Sequence, residues 1–344
     1  MIRINIPLRL AQWTLVLYSA LLITSCTSDK PSVTNINVDL KVQRFEQDLF
    51  SMDTLHPDQS IEKLKAKYSD FFNLFAFQVT TLGSRDSVIM NDHFLNFVTD
   101  TNFRAIYKDC NERFGNFDKY KNELTEAFRY YKFYFPDKTI PQIVTLISAF
   151  SYPVVCDSTT LGISLDMYMG SSYKYYNTLE PALPNYIRSK MDPAYLVSDA
   201  MKGWLMSDYE LDAPDAKVVD RMISQGRILC LLEKLLPETP DSIRTGYSSE
   251  QLNWCKENEK KIWTFFIDNK LLFSTDPNIV SKYVSEGPTT NGFPKEAPGN
   301  IGQYLGWQIV KSYLHNNKDV TMEQLMMEEK ADRIFSLSKY KPKK

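Results

Sequence analysis

The sequence predicts an α+β fold, mostly helical with a small central β-sheet. Apolar residues recur every three or four positions in stretches on both sides of the chain's middle, which is typical of helices that bury one face. Between these stretches, residues 142–169 hold short apolar runs separated by Pro153 and by Ser158 with Thr159, which indicates strands. Helices segregated from a single strand cluster define the α+β class.

The first 25 residues predict a lipoprotein signal peptide. Arg3 and Arg9 precede an apolar run of 11 residues at 13–23, and residues 21–26 read L-L-I-T-S-C, the pattern of a bacterial lipobox. Eleven residues rise only about 16 Å as a helix, roughly half of a bilayer's hydrocarbon core. We therefore expect cleavage before Cys26 and attachment of lipid to its thiol, which would hold the chain at a membrane. The alternative is an ordinary secretory signal with an incidental cysteine.

Residues 26–38 predict the lipidated anchor and a polar tether, residues 39–337 a single globular domain, and residues 338–344 a basic tail. A first strand is predicted from the alternation of Val38, Leu40 and Val42, and an apolar face follows in residues 44–50. Helical periodicity begins near residue 60, with apolar positions from Ile61 to Phe75, and returns over residues 117–131.

After the strands, helical periodicity holds almost to the end of the chain. The predicted helices cover residues 194–205, 218–236, 249–273, 301–315 and 322–337. Ser248 with Gln251, and Thr321 with Gln324, predict capping boxes at two of their starts. Residues 284–300 form the one long Gly- and Pro-rich loop, a class of segment that is either functional or a plain connector.

Composition excludes several functions. The chain has 40 Lys and Arg against 42 Asp and Glu. Removal of Arg3 and Arg9 with the signal peptide would take its formal charge from −2 to −4, so nucleic acid is not an expected partner.

Beyond Cys26 there are four cysteines at irregular spacing, compatible with one or two disulfides or with free thiols. No C-x-x-C occurs, which excludes thioredoxin-type redox chemistry and zinc ribbons.

The usual catalytic motifs are absent from the sequence. The three histidines lie far apart, and none belongs to an H-E-x-x-H pair. The segment at residues 162–166 supplies only the first half of a G-x-S-x-G nucleophile elbow, so Ser164 is not expected to be catalytic. Three carboxylates lie in or near the most apolar stretch of the chain, namely Asp157, Asp166 and Asp199. Two such carboxylates could act as a catalytic acid and base. Capping of turns or pairing with Arg188 explains these residues more simply.

Several segments together resemble GldB, the gliding motility lipoprotein family of the Bacteroidetes. The resemblance runs from the lipobox nearly to the C-terminus, and its most specific segment is L-G-I-S-L-D-M-Y-M-G at residues 161–170. Supporting segments lie at residues 44–50, 184–188 and 302–310. The resemblance implies a role in envelope machinery that drives gliding and is linked to type IX secretion.

The GldB family looks related in turn to a zincin-like group of metalloproteases, in which a strand cluster precedes a helix bearing H-E-x-x-H. Here the corresponding helix covers residues 195–204, and Ser198 and Lys202 occupy the ligand spacing. Zinc prefers neutral imidazole or thiolate ligands, whereas Ser198 is a weak ligand and Lys202 a competing cation. If the fold is zincin-like, the chain has kept the frame and lost the zinc site, and we expect no metal and no other cofactor.

These observations predict a non-enzymatic scaffold or binding protein, lipid-anchored in the cell envelope, with envelope or motility proteins as partners. By analogy with other Gram-negative lipoproteins, Thr27 after the anchor cysteine favours the outer membrane. The alternatives are a peptide or peptidoglycan hydrolase that uses carboxylates or a non-obvious metal site, and a carrier that holds glycan or lipid on its tyrosines. The candidate cleft residues are Asp166, Tyr168, Tyr173, Arg188 and Asp199.

Overall fold

In the computed structural model of this protein, four short strands form one mixed sheet. They are β1 (Val42–Arg44), β2 (Gln142–Leu146), β3 (Val154–Cys156) and β4 (Thr160–Ser164), in the spatial order β1-β2-β4-β3. The pairs β1/β2 and β2/β4 are parallel, whereas β3 runs antiparallel to β4 and forms one edge of the sheet. Every residue of β4 is buried, in keeping with the apolar run that predicts it.

The predicted strand cluster and the α+β class are confirmed, with two differences at strand ends. The first strand begins at Val42 rather than near Val38, because only from Val42 onward does the chain find a partner in β2. Val38 and Leu40 are buried but lie outside the sheet. The strand predicted to run on to residue 169 ends at Ser164, where the chain turns into a 3₁₀ segment, Leu165–Tyr168. Two further 3₁₀ segments cover Lys174–Asn177 and Pro193–Tyr195.

Six helices lie between β1 and β2. They are α1 (Phe45–Phe50), α2 (Pro57–Tyr68), α3 (Asp70–Leu74, continued by a π-helical turn at Phe75–Val79), α4 (Ser87–Thr99), α5 (Thr101–Phe114) and α6 (Asp118–Tyr134). The apolar stripe that predicts one helix after residue 60 is divided between α2 and α3, because Ser69 adopts a positive φ of 48° between them. Helices α4 and α5 are not predicted from the sequence, and the side chains of Asp86 and Asp100 cap their starts.

In the described part of the chain, nine α-helices follow β4. They are α7 (Asn185–Arg188), α8 (Leu196–Asp208), α9 (Val218–Leu235), α10 (Asp241–Thr245), α11 (Ser249–Asp268), α12 (Pro277–Val284), α13 (Ile301–Asn316), α14 (Met322–Met327) and α15 (Ala331–Ser338). Both predicted capping boxes are confirmed, at Ser248 with Gln251 and at Thr321 with Gln324. The helix predicted over residues 322–337 is two helices, since the chain leaves helical geometry at Glu328.

The structure describes residues 30–209, 213 and 215–342, so the lipobox and Cys26 lie outside the described residues. From Val33 onward the described chain belongs to one compact unit with one continuous apolar core. None of the helices described is both long and apolar enough to cross a membrane. All four cysteines in this part of the chain are free thiols.

Helices α9 and α13 approach each other at backbone distance through two glycines. A Cβ added to Gly226 would lie 2.3 Å from the carbonyl oxygen of Gly306, and one added to Gly306 would lie 1.6 Å from that of Met222. No side chain fits in such gaps, so only glycine at both positions allows the two helices to pack this closely. This contact fixes the relative position of the two helices.

We predict that Gly306→Ala destabilises the fold by about 3 kcal/mol or more, because the added methyl group meets backbone rather than a movable side chain. Urea unfolding followed by circular dichroism measures the effect, and loss of soluble protein would be its extreme form. Gly287→Ala is the matched control, since the nearest atom to its added Cβ is 3.5 Å away. Equal unfolding free energies for the two variants would contradict this account of the helix contact.

Candidate functional site

A cavity of about 650 Å³ lies between α8, the edge strand β3 and the C-terminal helices. Its walls also include the 3₁₀ segment after β4, the chain that follows α7, parts of α9 and α13, and the loop that connects α12 to α13. Most of the lining is apolar, and the polar groups that define its chemistry are Tyr168, Lys190, Asp199, Lys202, Glu286 and Gln303. A volume of this size is typical of small-molecule and peptide sites.

Helix α8 presents one face to the cavity. Asp199, Lys202 and Met206 recur at spacings of three and four, which places them on the same side of the helix. Gly203 allows α8 to approach the edge strand, because a Cβ there would lie 2.6 Å from a methyl group of Val154. The packing between α8 and β3 thus forms one wall of the cavity.

The carboxylate of Asp199 has one hydrogen-bond partner within the cavity wall. Its Oδ2 accepts from the hydroxyl of Tyr168, with an O–O distance of 3.2 Å. Burial raises the pKa of Asp199 to about 6, against the opposing effects of the Lys202 charge and the Tyr168 hydrogen bond. Burial and the neighbouring Asp199 carboxylate together raise the pKa of Tyr168 well above its ordinary value, so the phenol remains a hydrogen-bond donor.

Lys202 points its ammonium group toward a neutral partner. Its Nζ lies 3.4 Å from Oε1 of Gln303, which is long for a hydrogen bond. The amide of Gln303 is oriented by Nε2, which donates to the carbonyl of Thr245 at 2.9 Å and leaves Oε1 for Lys202. Among the described residues no carboxylate forms an ion pair with Lys202, and burial lowers the pKa of this lysine although the charges of Glu286 and Asp199 oppose the shift.

An ion pair stands at the more exposed side of the cavity. Lys190 Nζ lies 3.0 Å from Glu286 Oε2, and their side chains are 27% and 57% exposed. Burial opposes ionisation of Glu286, but attraction to Lys190, their hydrogen bond and the charge of Lys202 outweigh it and lower the pKa of the carboxyl. The pair ties the chain after α7 to the loop after α12.

Two of the five candidate cleft residues lie in this cavity, namely Tyr168 and Asp199. Asp166 is fully buried elsewhere and accepts hydrogen bonds from the backbone N–H groups of Ser148 and Phe150 at 3.1 and 2.7 Å. It therefore holds the turn that follows β2, and burial raises its pKa to about 6 although those hydrogen bonds oppose the shift.

The other two candidates, Tyr173 and Arg188, also make their contacts outside the cavity. Tyr173 donates to Asp109 at 2.9 Å and packs edge-on against Tyr175 and Tyr176. Arg188 donates to the side chains of Asn177 and Asn185, so the suggested pairing of this arginine with a nearby aspartate is not what its hydrogen bonds show.

The sequence did not identify four polar side chains of the cavity as site residues: two lysines, one carboxylate and one amide. Lys190, Lys202, Glu286 and Gln303 all line it, yet they are distributed over 114 positions of the chain from Lys190 to Gln303. Two signals pointed to parts of this set. Glu286 belongs to the Gly- and Pro-rich loop at 284–300, and Lys202 lies on α8, the helix whose likeness to a zincin motif stays a prediction from the sequence.

The residues of α8 do not fit a zinc ion. Ser198 is 2% exposed and Lys202 carries an ammonium group, so neither offers the imidazole or thiolate that zinc prefers. Across the described ranges no three His, Cys, Asp or Glu side chains are grouped so that they could hold a metal ion. We therefore derive no metal chemistry at this cavity.

The fold and the cavity define a mostly helical α+β domain with an internal ligand-sized site. The family model of gliding motility protein GldB matches residues 26–342, which is nearly the whole chain. The chain therefore belongs to the GldB family of gliding motility lipoproteins. No curated protein and no solved structure matches it, and a zincin-like frame thus stays a prediction from the sequence.

We predict that Lys202→Met raises the free energy of unfolding by about 1 kcal/mol, because it removes a half-buried ammonium group that has only one long hydrogen bond. Urea unfolding of the variant and of wild type measures the difference. Lys108→Met is the matched control, since the side chain of Lys108 is 75% exposed on α5. A loss of stability in Lys202→Met would show that the ammonium group is well compensated in the folded protein.

The unfolding free energy should depend on pH through the carboxyl group of Asp199. Folding raises the pKa of the Asp199 carboxyl group from 3.8 to about 6, so the folded state binds the carboxyl proton more tightly than the unfolded state does. The stability that this proton contributes is fully present below pH 3.8 and is lost as the pH rises through about 6. The unfolding free energy of the wild type should therefore decrease between about pH 4 and 7. In Asp199→Asn this decrease should be smaller by on the order of 1 kcal/mol.

The measurement is urea unfolding at a series of pH values. The exposed Asp92 on α4 provides the control, and Asp92→Asn should keep the wild-type pH dependence. If the unfolding free energy of Asp199→Asn depended on pH as that of the wild type does, the Asp199 carboxyl group would not have the raised pKa that burial causes.

Proposed function

We propose that this protein is a lipoprotein, anchored through Cys26 at the outer membrane, which serves the gliding and type IX secretion machinery as a binding component and not as an enzyme. Membership of the GldB family supports the motility role. The observation that carries the binding role is the cavity, which combines apolar walls with four charged side chains and an oriented amide. Such a combination suits selective recognition of a ligand or of a partner segment.

The proposed arrangement follows from the sequence. Residues 1–25 would be removed as a signal peptide, and residues 26–38 would carry the lipid and form the tether. Residues 39–337 would form the globular domain, and residues 338–344 would form a basic tail. The membrane is then a partner through the lipid on Cys26, and envelope or motility proteins are partners through the domain. Without residues 1–25 the formal charge would be −4, which disfavours nucleic acid as a partner.

We predict that filling the cavity abolishes function in a gliding host that lacks its own copy of the gene. Met206 lines the cavity and is 61% exposed, so Met206→Trp can occupy the space without entering the apolar core. Spreading of colonies and the amount of secreted surface protein are the measurements, with an immunoblot of the membrane fraction for protein level.

The matched control is Met327→Trp, since Met327 is equally exposed at 65% and lies away from the cavity lining. We expect the Met206 variant to resemble the deletion strain and the Met327 variant to resemble wild type. Normal function of both variants would remove the cavity from the mechanism, and a deletion strain without any gliding or secretion defect would contradict the proposed function as a whole.

An envelope hydrolase is the second candidate, and one specific observation favours it. Asp199 has a pKa of about 6 and accepts a hydrogen bond from Tyr168 inside the cavity, and a carboxyl group with such a pKa can act as a general acid or base. Asp199→Asn in the same host separates the two candidates. Full function of that variant would contradict hydrolysis through this carboxyl group and would leave the binding role intact.

A further inference from the structure

Charge compensation in the cavity is uneven. Each carboxylate of the lining has a partner, since Asp199 accepts from Tyr168 and Glu286 pairs with Lys190. Lys202 by contrast has only the amide oxygen of Gln303 at 3.4 Å. The charges of Asp199 and Glu286 act on Lys202 from a distance, but neither carboxylate is in direct contact with its ammonium group. An ammonium group that is partly withdrawn from water without a carboxylate in direct contact is incompletely compensated.

From this imbalance we infer that the cavity binds the free carboxyl terminus of an apolar peptide, with the terminal carboxylate at the ammonium group of Lys202. This inference rests on the proposed binding role and names the class of its ligand. A carboxylate at Lys202 would form a charge-assisted hydrogen bond and would pair the one cation of the lining that lacks a carboxylate among the described residues.

The remaining polar groups favour a peptide over a simple acyl chain. Gln225 and Asn300 both line the cavity, and each has a buried amide oxygen without a hydrogen-bond partner. Peptide N–H groups could donate to these acceptors once the side chains turn toward a ligand, whereas methylene groups could not. An acyl chain would leave these oxygens without hydrogen bonds. It would also place hydrocarbon against the charged side chains of Lys190 and Glu286.

The apolar walls are suited to side chains of varied shape. Met167, Met191 and Met206 contribute flexible, polarisable thioether groups to three different walls of the cavity. Methionine surfaces adapt to different apolar partners and are used where a site accepts more than one sequence. The cavity volume of about 650 Å³ accommodates the last few residues of a chain.

The test is calorimetric titration of the full chain in lipid nanodiscs, with empty nanodiscs as the blank. Three probes are compared, namely the tripeptide Leu-Ala-Leu with a free carboxyl group, the same tripeptide with a C-terminal amide, and decanoate. We expect the free acid to bind about ten- to a hundredfold more tightly than the amide, the range given by a hydrogen bond to a charged group. Lys202→Met should abolish this preference, and Lys108→Met should keep it.

Several outcomes would overturn the inference. Equal affinity for the acid and the amide would show that no carboxylate is recognised, and an undiminished preference in Lys202→Met would place recognition elsewhere. Tighter binding of decanoate than of the tripeptide would identify an acyl-chain site, and the absence of saturable binding by any probe would reject a carboxylate ligand. Each of these failures is separable from failure of the proposed function, because loss of gliding in Met206→Trp would still support a binding role for the cavity.

Discussion

The contact between Gly226 of α9 and Gly306 of α13 is the constraint on which the cavity depends. Because the two backbones touch, side chains beside the glycines are held at fixed positions, including Gln225 and Ile228 on α9 and Gln303 on α13. Gly302 extends the same constraint, since a Cβ there would lie 2.8 Å from the carbonyl oxygen of Tyr283. The end of α12 and the loop that carries Glu286 are thereby tied to the same helix pair.

The part of the cavity lining that Tyr168 contributes depends on the turn after β2. Ala149 and Phe150 adopt positive φ angles of 55° and 61°, which are unfavourable for residues other than glycine, and Asp166 compensates through hydrogen bonds to the turn. The carbonyl of Asp166 in turn accepts from the hydroxyl of Tyr176 at 2.6 Å. This network holds the 3₁₀ segment that places Tyr168 against Asp199, so a carboxylate outside the cavity positions a group inside it.

The cavity keeps groups that a purely structural core would not keep. Lys202 and Asp199 are both partly withdrawn from water, and this burial shifts the pKa of each toward its neutral form. Such residues reduce stability, and natural proteins accept this cost at sites of function. In a gliding motility lipoprotein with the proposed binding role, the same features that weaken the domain are those that would recognise a partner.

The sequence alone determined the class of fold, most helices, the strand cluster, both capping boxes and the family, because periodicity, caps and motif order are local properties that neighbouring residues establish. It did not determine the helices α4, α5, α7, α10 and α12, the break at Ser69, or which polar residues lie close together in the fold. Asp199 and Tyr168 were identified as cleft candidates, but Asp166 was placed with them although it holds a turn elsewhere. Only the tertiary structure brought Lys190, Lys202, Glu286 and Gln303 together, since their proximity depends on helix contacts between segments that lie far apart in the chain.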